Sequence, residues 1–115
     1  MGLDITFTRR KNFVCPKCGE VVGHTDVDCE DSSGRSWYPF LEKVGYYVPY
    51  EKRTEENDWY GKDMVLTNEQ ADEAYRFTKD NVLYRANEVR SLIATALLEK
   101  DSIVINAEYA ERKRK

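Results

Sequence analysis

Every cysteine of the chain and its only histidine fall within the fifteen residues from Cys15 to Cys29. Their spacing is Cys-x2-Cys-x5-His-x4-Cys, which makes Cys15, Cys18, His24 and Cys29 four candidate donors. Structural zinc sites use thiolate and imidazole ligands, four at a time in a tetrahedron. The spacing therefore predicts a structural Zn2+ site at these four residues, with about one ion per chain. The alternative is three unrelated buried thiols and a surface histidine.

The pattern Cys-x2-Cys-Gly…Gly-His-x4-Cys resembles the zinc knuckle of retroviral nucleocapsid and related proteins. The matching positions are Cys15, Cys18, Gly19, Gly23, His24 and Cys29. The resemblance implies zinc ligation by the three cysteines and His24, and it implies nucleic-acid binding. The sequence has one extra residue before His24, which leaves Asp26 or Asp28 as an alternative fourth ligand. It also lacks the aromatic residue that follows the first cysteine in such knuckles and stacks on a base.

Length and composition favour one soluble domain over residues 1–115. Apolar residues make up 41% of the chain and charged residues 34%, which is typical of a folded, soluble protein. No run of residues is long and apolar enough to span a bilayer, and no apolar leader opens the chain. Three cysteines cannot all pair in disulfides, so a Cys-x2-Cys motif here favours metal. We therefore expect a cytoplasmic protein that makes no membrane contact.

The net charge of −3 conceals a segregation of charge along the chain. Residues 20–73 carry fourteen acidic and five basic residues, a balance of −9, whereas residues 1–19 and 74–115 each carry +3. Four of the basic residues form the tail 112–115, which we interpret as solvated. An acidic middle attracts a basic partner and repels nucleic acid.

Alternating apolar residues predict short strands near both ends of the chain. Residues 3–8 alternate with period two, and residues 103–105 form a short apolar run suited to pair with them. Residues 13–14 and 21–22 are predicted arms of a short hairpin closed over zinc. Residues 28–35 are acidic and rich in Ser and Gly, which predicts a loop.

A helical region is predicted over residues 67–99. Thr67 and Gln70 have the spacing of a capping box. Behind them an apolar stripe recurs at steps of three and four, typical of an amphipathic helix, at Ala71, Ala74, Tyr75, Thr78, Val82, Ala86, Val89, Ile93, Ala96 and Leu97. The pattern allows one long helix or two, with Asp80 or Asn81 as the cap of the second.

These elements define an α+β fold. We expect a small, mainly antiparallel sheet, with a zinc hook at residues 15–29 and a long C-terminal amphipathic helix, or two, packed on one face. Four large side chains are predicted to fill the core: Trp37, Tyr38, Phe40 and Leu41. Residues 44–50 alternate around Pro49, which predicts an edge strand or an extended loop.

A charged, turn-rich stretch over residues 51–62 is the predicted partner-binding surface. It is long for a connection, which is typical of a stretch that is either mobile or functional. Aromatic residues beside acids are typical of interface anchors, whereas folding back onto the core is the alternative. The candidate contacts are Glu51, Glu55, Glu56, Asp58, Trp59 and Tyr60.

Catalytic motifs are missing from the sequence. It contains no Gly-x-Ser-x-Gly elbow, no phosphate-binding loop and no His-Glu-x-x-His. The zinc deaminase motifs are in the wrong order. A zinc ion bound by all four donors has no open position, and His24 is then no longer free for acid–base work. We predict that the chain is not an enzyme.

In its opening residues, size, charge and cysteine–histidine cluster the chain is similar to small phage and prophage proteins. These include anti-CRISPR inhibitors of type II-A Cas9. The resemblance implies a phage-encoded inhibitor that binds a host nucleic-acid enzyme such as Cas9 and hinders loading of target DNA. The alternative is a zinc-knuckle protein that binds nucleic acid through the hook, residues 9–11 and the tail. The −9 central segment favours the first hypothesis, because it repels phosphate.

Overall fold

The computed structural model describes residues 3–47 and 61–109. Within these two ranges four strands and three helices follow one another, with a 3-10 turn at Gly34–Trp37. The strands are β1 (Leu3–Val14), β2 (Val21–Ser33), β3 (Asp63–Leu66) and β4 (Ser102–Tyr109). The helices are α1 (Tyr38–Lys43), α2 (Asn68–Asp80) and α3 (Ala86–Glu99).

The four strands form one antiparallel sheet in the order β2-β1-β4-β3. The predicted pairing of the two chain ends is confirmed, since Phe7 lies opposite Ile105. The α+β class with a small antiparallel sheet is likewise confirmed. Strand β3 was not predicted, and its four residues pair only with β4.

Apolar side chains at alternate positions of β1 lie on the buried face of the sheet. Ile5 and Phe7 are fully buried, and their neighbours across β4, Ala107 and Ile105, are fully buried with them. The same face packs against the helices, most closely against α3.

The hairpin of β1 and β2 is much longer than predicted. Pairing runs from Asp4 opposite Ser33 to Val14 opposite Val21. The predicted loop over residues 28–35 is therefore wrong as far as Ser33, because cross-strand hydrogen bonds hold these polar residues in β2. The register shifts between Arg9 and Arg10, where Val27 is the extra residue of a bulge.

The helical region divides into two helices separated by residues 81–85. The predicted capping box is present, because the Gln70 amide donates to Thr67 Oγ1 and the Thr67 amide donates to Gln70 Oε1. Helix α3 begins after Arg85, which has a left-handed φ of 57°, so capping by Asp80 or Asn81 is wrong. Val82 is fully exposed, not part of the apolar stripe. None of the helices in the described ranges is long and apolar enough to cross a membrane.

Trp37 is at the centre of the core. It is fully buried, and its ring centroid lies 4.7 Å from that of Phe7, 5.5 Å from that of Phe40 and 4.9 Å from that of Phe77. Its indole N–H donates to Ser32 Oγ at 3.1 Å. Trp37, Phe40 and the fully buried Leu41 confirm the predicted core position of this stretch, while Tyr38 is partly buried and stacks on Tyr47.

A tyrosine hydroxyl joins the two sides of residues 48–60. Tyr46 Oη donates to the Lys62 carbonyl at 2.6 Å and accepts the Ala107 amide at 2.9 Å. The Gly61 amide donates to the Ala107 carbonyl at 2.8 Å. The chain therefore leaves and re-enters the described fold beside the same residue of β4. The predicted strand at 44–50 lies partly outside the described residues, and its described part forms no strand.

Candidate functional site

The distal part of the β1–β2 hairpin extends past the rest of the sheet. Strand β4 begins at Ser102, opposite Arg10, so among the described strands residues 11–14 pair with β2 alone, although the Asn12 side chain still donates to Ser102 Oγ at 2.8 Å. Four extended residues span about 13 Å. We call residues 11–25, which comprise these residues, the turn and the paired start of β2, the hairpin arm.

The turn of the hairpin arm holds the first two cysteines. The Cys15 amide donates to the Glu20 carbonyl at 2.8 Å, and the Gly19 amide donates to the Cys15 carbonyl at 2.9 Å. Gly19 has a φ of +76°, a conformation that a Cβ atom disfavours. Cys15 is half-buried and Cys18 is exposed. The Cys-Pro-Lys-Cys-Gly sequence thus closes the hairpin at its outermost point.

Hydrogen bonds converge on the sulfur of Cys15. The backbone amides of Cys18 and Lys17 and the Cys18 thiol donate to it, and together they lower the pKa of Cys15, against a smaller opposing effect of burial. Donors that stabilise a thiolate favour the form that binds metals and attacks electrophiles.

We expect alkylation of Cys15 to have a pH midpoint below that of an ordinary thiol. The thiolate is the reactive form, and the hydrogen bonds that lower the pKa exist only in the folded turn. The measurement is the iodoacetamide rate at Cys15 against pH, followed by peptide mass spectrometry on metal-free, reduced protein. A peptide of residues 13–22 is the control. Equal midpoints in protein and peptide would contradict the effect of the turn.

Large apolar side chains surround this turn. Phe13, Val14, Val21 and Val22 are between 49% and 69% exposed. Phe13 lies over Gly23, where a Cβ atom on the glycine would be 3.7 Å from Phe13 Cδ2. We call these four apolar residues the apolar collar. Most of its surface is in contact with solvent in the single chain.

The other two predicted zinc ligands lie elsewhere on the hairpin. His24 is opposite Asn12, and Cys29 is opposite Thr8, seven residues before Cys15 on β1. Seven extended residues correspond to about 23 Å, about ten times a zinc–sulfur bond. Among residues 3–47 and 61–109 no group of three or more His, Cys, Asp or Glu side chains is placed to hold a metal ion.

The described fold thus brings together Cys15 and Cys18 but not the predicted set of four. Asp26 and Asp28, the alternative ligands, lie still further along β2 than His24. The two thiols of the turn suit a single zinc ion, whereas the four predicted ligands lie too far apart in this conformation to bind the same ion. Zinc bound by all four residues stays a prediction.

A second candidate site runs along β2, at the edge of the sheet. This strand contains Asp26, Asp28, Glu30 and Asp31 and no lysine or arginine. Its residues 24–29 are exposed. We call this strand the acidic edge. The sequence signal for it is an alternation over residues 25–30, in which every second residue is acidic.

The bulge distributes these acids over both faces of the sheet. Asp28 and Glu30 line an open groove of about 350 Å3 between β2 and α3, to which Glu88 adds a third carboxylate. Asp26 and Asp31 are on the opposite face, beside Arg10 and Thr6. A partner approaching this edge therefore meets negative charge on either side.

Most acids of the acidic edge have an internal partner. Asp26 pairs with Arg10 at 2.8 Å, and this hydrogen bond lowers the pKa of Asp26 and raises that of Arg10. Glu30 pairs with Arg85. Asp28 accepts a hydrogen bond from the Cys29 amide at 2.9 Å and forms no ion pair with a described residue. Asp31 accepts a hydrogen bond from Thr6 Oγ1 at 2.8 Å and likewise forms no ion pair with a described residue, so Asp28 and Asp31 have the most available charge.

The basic cluster at residues 9–11 is engaged within the fold. Arg9 pairs with Asp101 at 2.7 Å, and Lys11 lies 3.8 Å from the same carboxylate. Arg10 pairs with Asp26. These pairs reduce the positive charge that the cluster presents to phosphate.

The predicted partner-binding residues Glu51, Glu55, Glu56, Asp58, Trp59 and Tyr60 lie outside the described residues, as does the basic tail 112–115. Their roles stay predictions. The described flanks, Tyr46 and Lys62, place both ends of this stretch at one site beside β4.

Comparison with known proteins gives no match to this chain among protein-family models, curated proteins or solved structures.

Proposed function

We propose that the protein is an interaction module that presents the acidic edge to a basic surface of a nucleic-acid enzyme. In this proposal it is a phage-encoded inhibitor, with Cas9 as the candidate target. The observation that carries the proposal is β2 itself, a thirteen-residue edge strand with four acids and no lysine or arginine.

Edge strands carry unpaired backbone groups that another chain can bind. Proteins often protect such strands with charge, since charge opposes pairing with a second copy of the same strand. Asp28 and Asp31, the two acids of β2 that form no ion pair with a described residue, repel an identical edge and attract a basic segment. The acidic edge therefore favours a basic protein partner over self-association at this surface.

The described contacts give nucleic-acid binding less support. Carboxylates on both faces of β2 repel phosphate, and Arg9 and Arg10 already pair with Asp101 and Asp26. Single-stranded nucleic acid is usually held by aromatic stacking within a basic groove. Among Phe, Tyr and Trp, the hairpin arm contains Phe13 alone. The strand paired with it, β2, contains four acids and no lysine or arginine.

Inhibition would follow from competition for positive surface. A Cas9-type enzyme holds its guide and target in a basic channel. An acidic strand that occupies part of this channel hinders the loading of target DNA. Long-range attraction would mainly accelerate association, and buried aromatic anchors such as Trp59 and Tyr60 would supply more of the affinity.

We expect Asp28→Lys to weaken binding to a Cas9–guide complex by roughly tenfold, mainly through a slower association rate. Asp28 is exposed and has no internal cation partner among the described residues, so its reversal changes the edge without breaking an ion pair. Glu99→Lys is the matched control, because it changes the net charge equally at the exposed end of α3. Biolayer interferometry at low and physiological salt measures both.

Equal affinities for the Asp28→Lys variant, the Glu99→Lys variant and the parent would contradict a role for the acidic edge. The triple variant Glu55→Lys, Glu56→Lys and Asp58→Lys tests the predicted surface at residues 51–60 separately. Titration with labelled DNA and RNA tests the alternative. Sub-micromolar nucleic-acid affinity that survives deletion of residues 112–115 would replace this proposal with the knuckle hypothesis.

A further inference from the structure

The turn of the hairpin arm provides half of a zinc coordination sphere. Cys15 and Cys18 are separated by two residues in a tight turn, which the hydrogen bonds from the Cys15 amide to Glu20 and from the Gly19 amide to Cys15 close. Structural zinc sites are almost always completed by four protein ligands. Two further donors are therefore required at the outermost point of the molecule.

The same chain does not supply these donors in the described fold. Cys29 is the only other cysteine, and its place opposite Thr8 is about 23 Å along the strand from the turn. His24 is opposite Asn12, about 10 Å along the strand from Cys15. Moving either residue to the turn would break the pairing of β1 with β2.

We propose that two copies of the chain meet tip to tip and share one Zn2+ ion, with Cys15 and Cys18 of each copy as its four ligands. This assembly goes beyond the proposed function, since it uses the turn and leaves the acidic edge open. Each thiol loses its proton to solvent as the metal binds. A two-fold axis through the ion gives identical environments to the two pairs.

Burial of the apolar collar would stabilise such a contact. Phe13, Val14, Val21 and Val22 lie immediately beside the two cysteines, and each is about half exposed or more. In a tip-to-tip dimer the two collars would cover one another around the metal. Burial of apolar area contributes roughly 25 cal/mol per Å2. The arm extends past β4, so the bodies of the two copies stay apart.

Charge also favours a second copy. A zinc ion with four thiolates carries a net charge of −2, and each turn contributes one lysine, Lys17, between its cysteines. Two copies of Lys17 would offset this charge in part, because the two Glu20 carboxylates of the same turns add −2. Lys17 and Glu20 are both exposed, and a two-fold axis allows the lysine of one copy to approach the glutamate of the other.

The test uses the full-length, reduced chain, stripped of metal and titrated with Zn2+. We expect 0.5 zinc per chain and a mass that doubles from 13.5 kDa, measured by metal analysis and light scattering. Co2+ as a probe should give the intense visible bands of a tetrahedral thiolate site. Cys18→Ser should abolish the bands and the dimer. Cys29→Ser and His24→Gln should keep both.

Each other outcome would overturn the proposal. One zinc per chain in a monomer, lost in Cys29→Ser, would establish the four-residue site predicted from the sequence. A dimer that forms without metal, or no zinc binding at micromolar concentration, would exclude a zinc-bridged pair. Circular dichroism shows whether Cys18→Ser stays folded. Val22→Ser keeps all ligands and should weaken the dimer at least several-fold; an unchanged dimer would argue against the collar contact.

Discussion

Trp37→Ala is expected to lower the free energy of unfolding by about 3–5 kcal/mol, because it leaves a cavity where a large side chain was fully buried. The indole contacts the rings of Phe7, Phe40 and Phe77, which come from β1, α1 and α2. Its loss therefore loosens the sheet and two helices at once. A domain of this size is stable by about 5–15 kcal/mol, so the substitution removes roughly a fifth or more of the total free energy of unfolding.

Urea unfolding followed by circular dichroism measures this effect. Trp37→Phe is the conservative comparison: it keeps an aromatic ring, loses the hydrogen bond to Ser32 and should cost less than the alanine variant. Val82→Ala changes a fully exposed side chain and should stay within about 0.5 kcal/mol. A Trp37→Ala variant as stable as Val82→Ala would show that the indole does not hold the layers together.

Asp101→Asn is expected to destabilise the fold by on the order of 3 kcal/mol, because it removes the partner of a largely buried arginine. The Asp101 side chain is only 3% exposed and the Arg9 side chain 20%. Arg9 Nε is buried and has no hydrogen-bond partner among the described residues, so Arg9 depends on this carboxylate. The pair connects β1 to the turn after α3, where the Asp101 amide donates to the Ala96 carbonyl.

The next arginine of β1 offers a matched control. Asp26→Asn breaks the Arg10–Asp26 pair, in which the Asp26 side chain is 48% exposed, and should cost less than about 1 kcal/mol. Urea midpoints at pH 7 in low and high salt compare the two variants. If both variants lost the same free energy of unfolding, burial would not make the Arg9–Asp101 pair the more stabilising of the two.

Local signals predicted the parts of the fold that depend on a single element. The alternation of residues 3–8 fixed the buried face of β1, and the capping box at Thr67 fixed the start of α2. The left-handed backbone conformation of Arg85, just before α3, was not predicted, because that position holds neither glycine nor asparagine. Strand β3 escaped because its pairing with β4 is a long-range contact.

For the candidate site, the sequence predicted a set of donors but not their positions in the fold. The spacing of four donors predicted one site, but pairing along β2 separates Cys29 from the turn. The strand predicted over residues 3–8 continues to Val14, and the charged side chains of Arg9 and Arg10 pair with Asp101 and Asp26. The acidic residues at alternate positions of β2 led to the prediction of a loop. An exposed edge strand has no apolar face, so its sequence lacks the apolar alternation that indicates a strand.

The hydroxyl of Tyr46 has a consequence for how this protein can diversify. It hydrogen-bonds to both Lys62 and Ala107, so the described residues that flank residues 48–60 meet beside β4. Closing a loop whose ends already meet depends weakly on its length, with about 0.6 kcal/mol for each doubling. The meeting of Tyr46 and Lys62 is therefore expected to tolerate a change in the number of residues between them, without movement of β4.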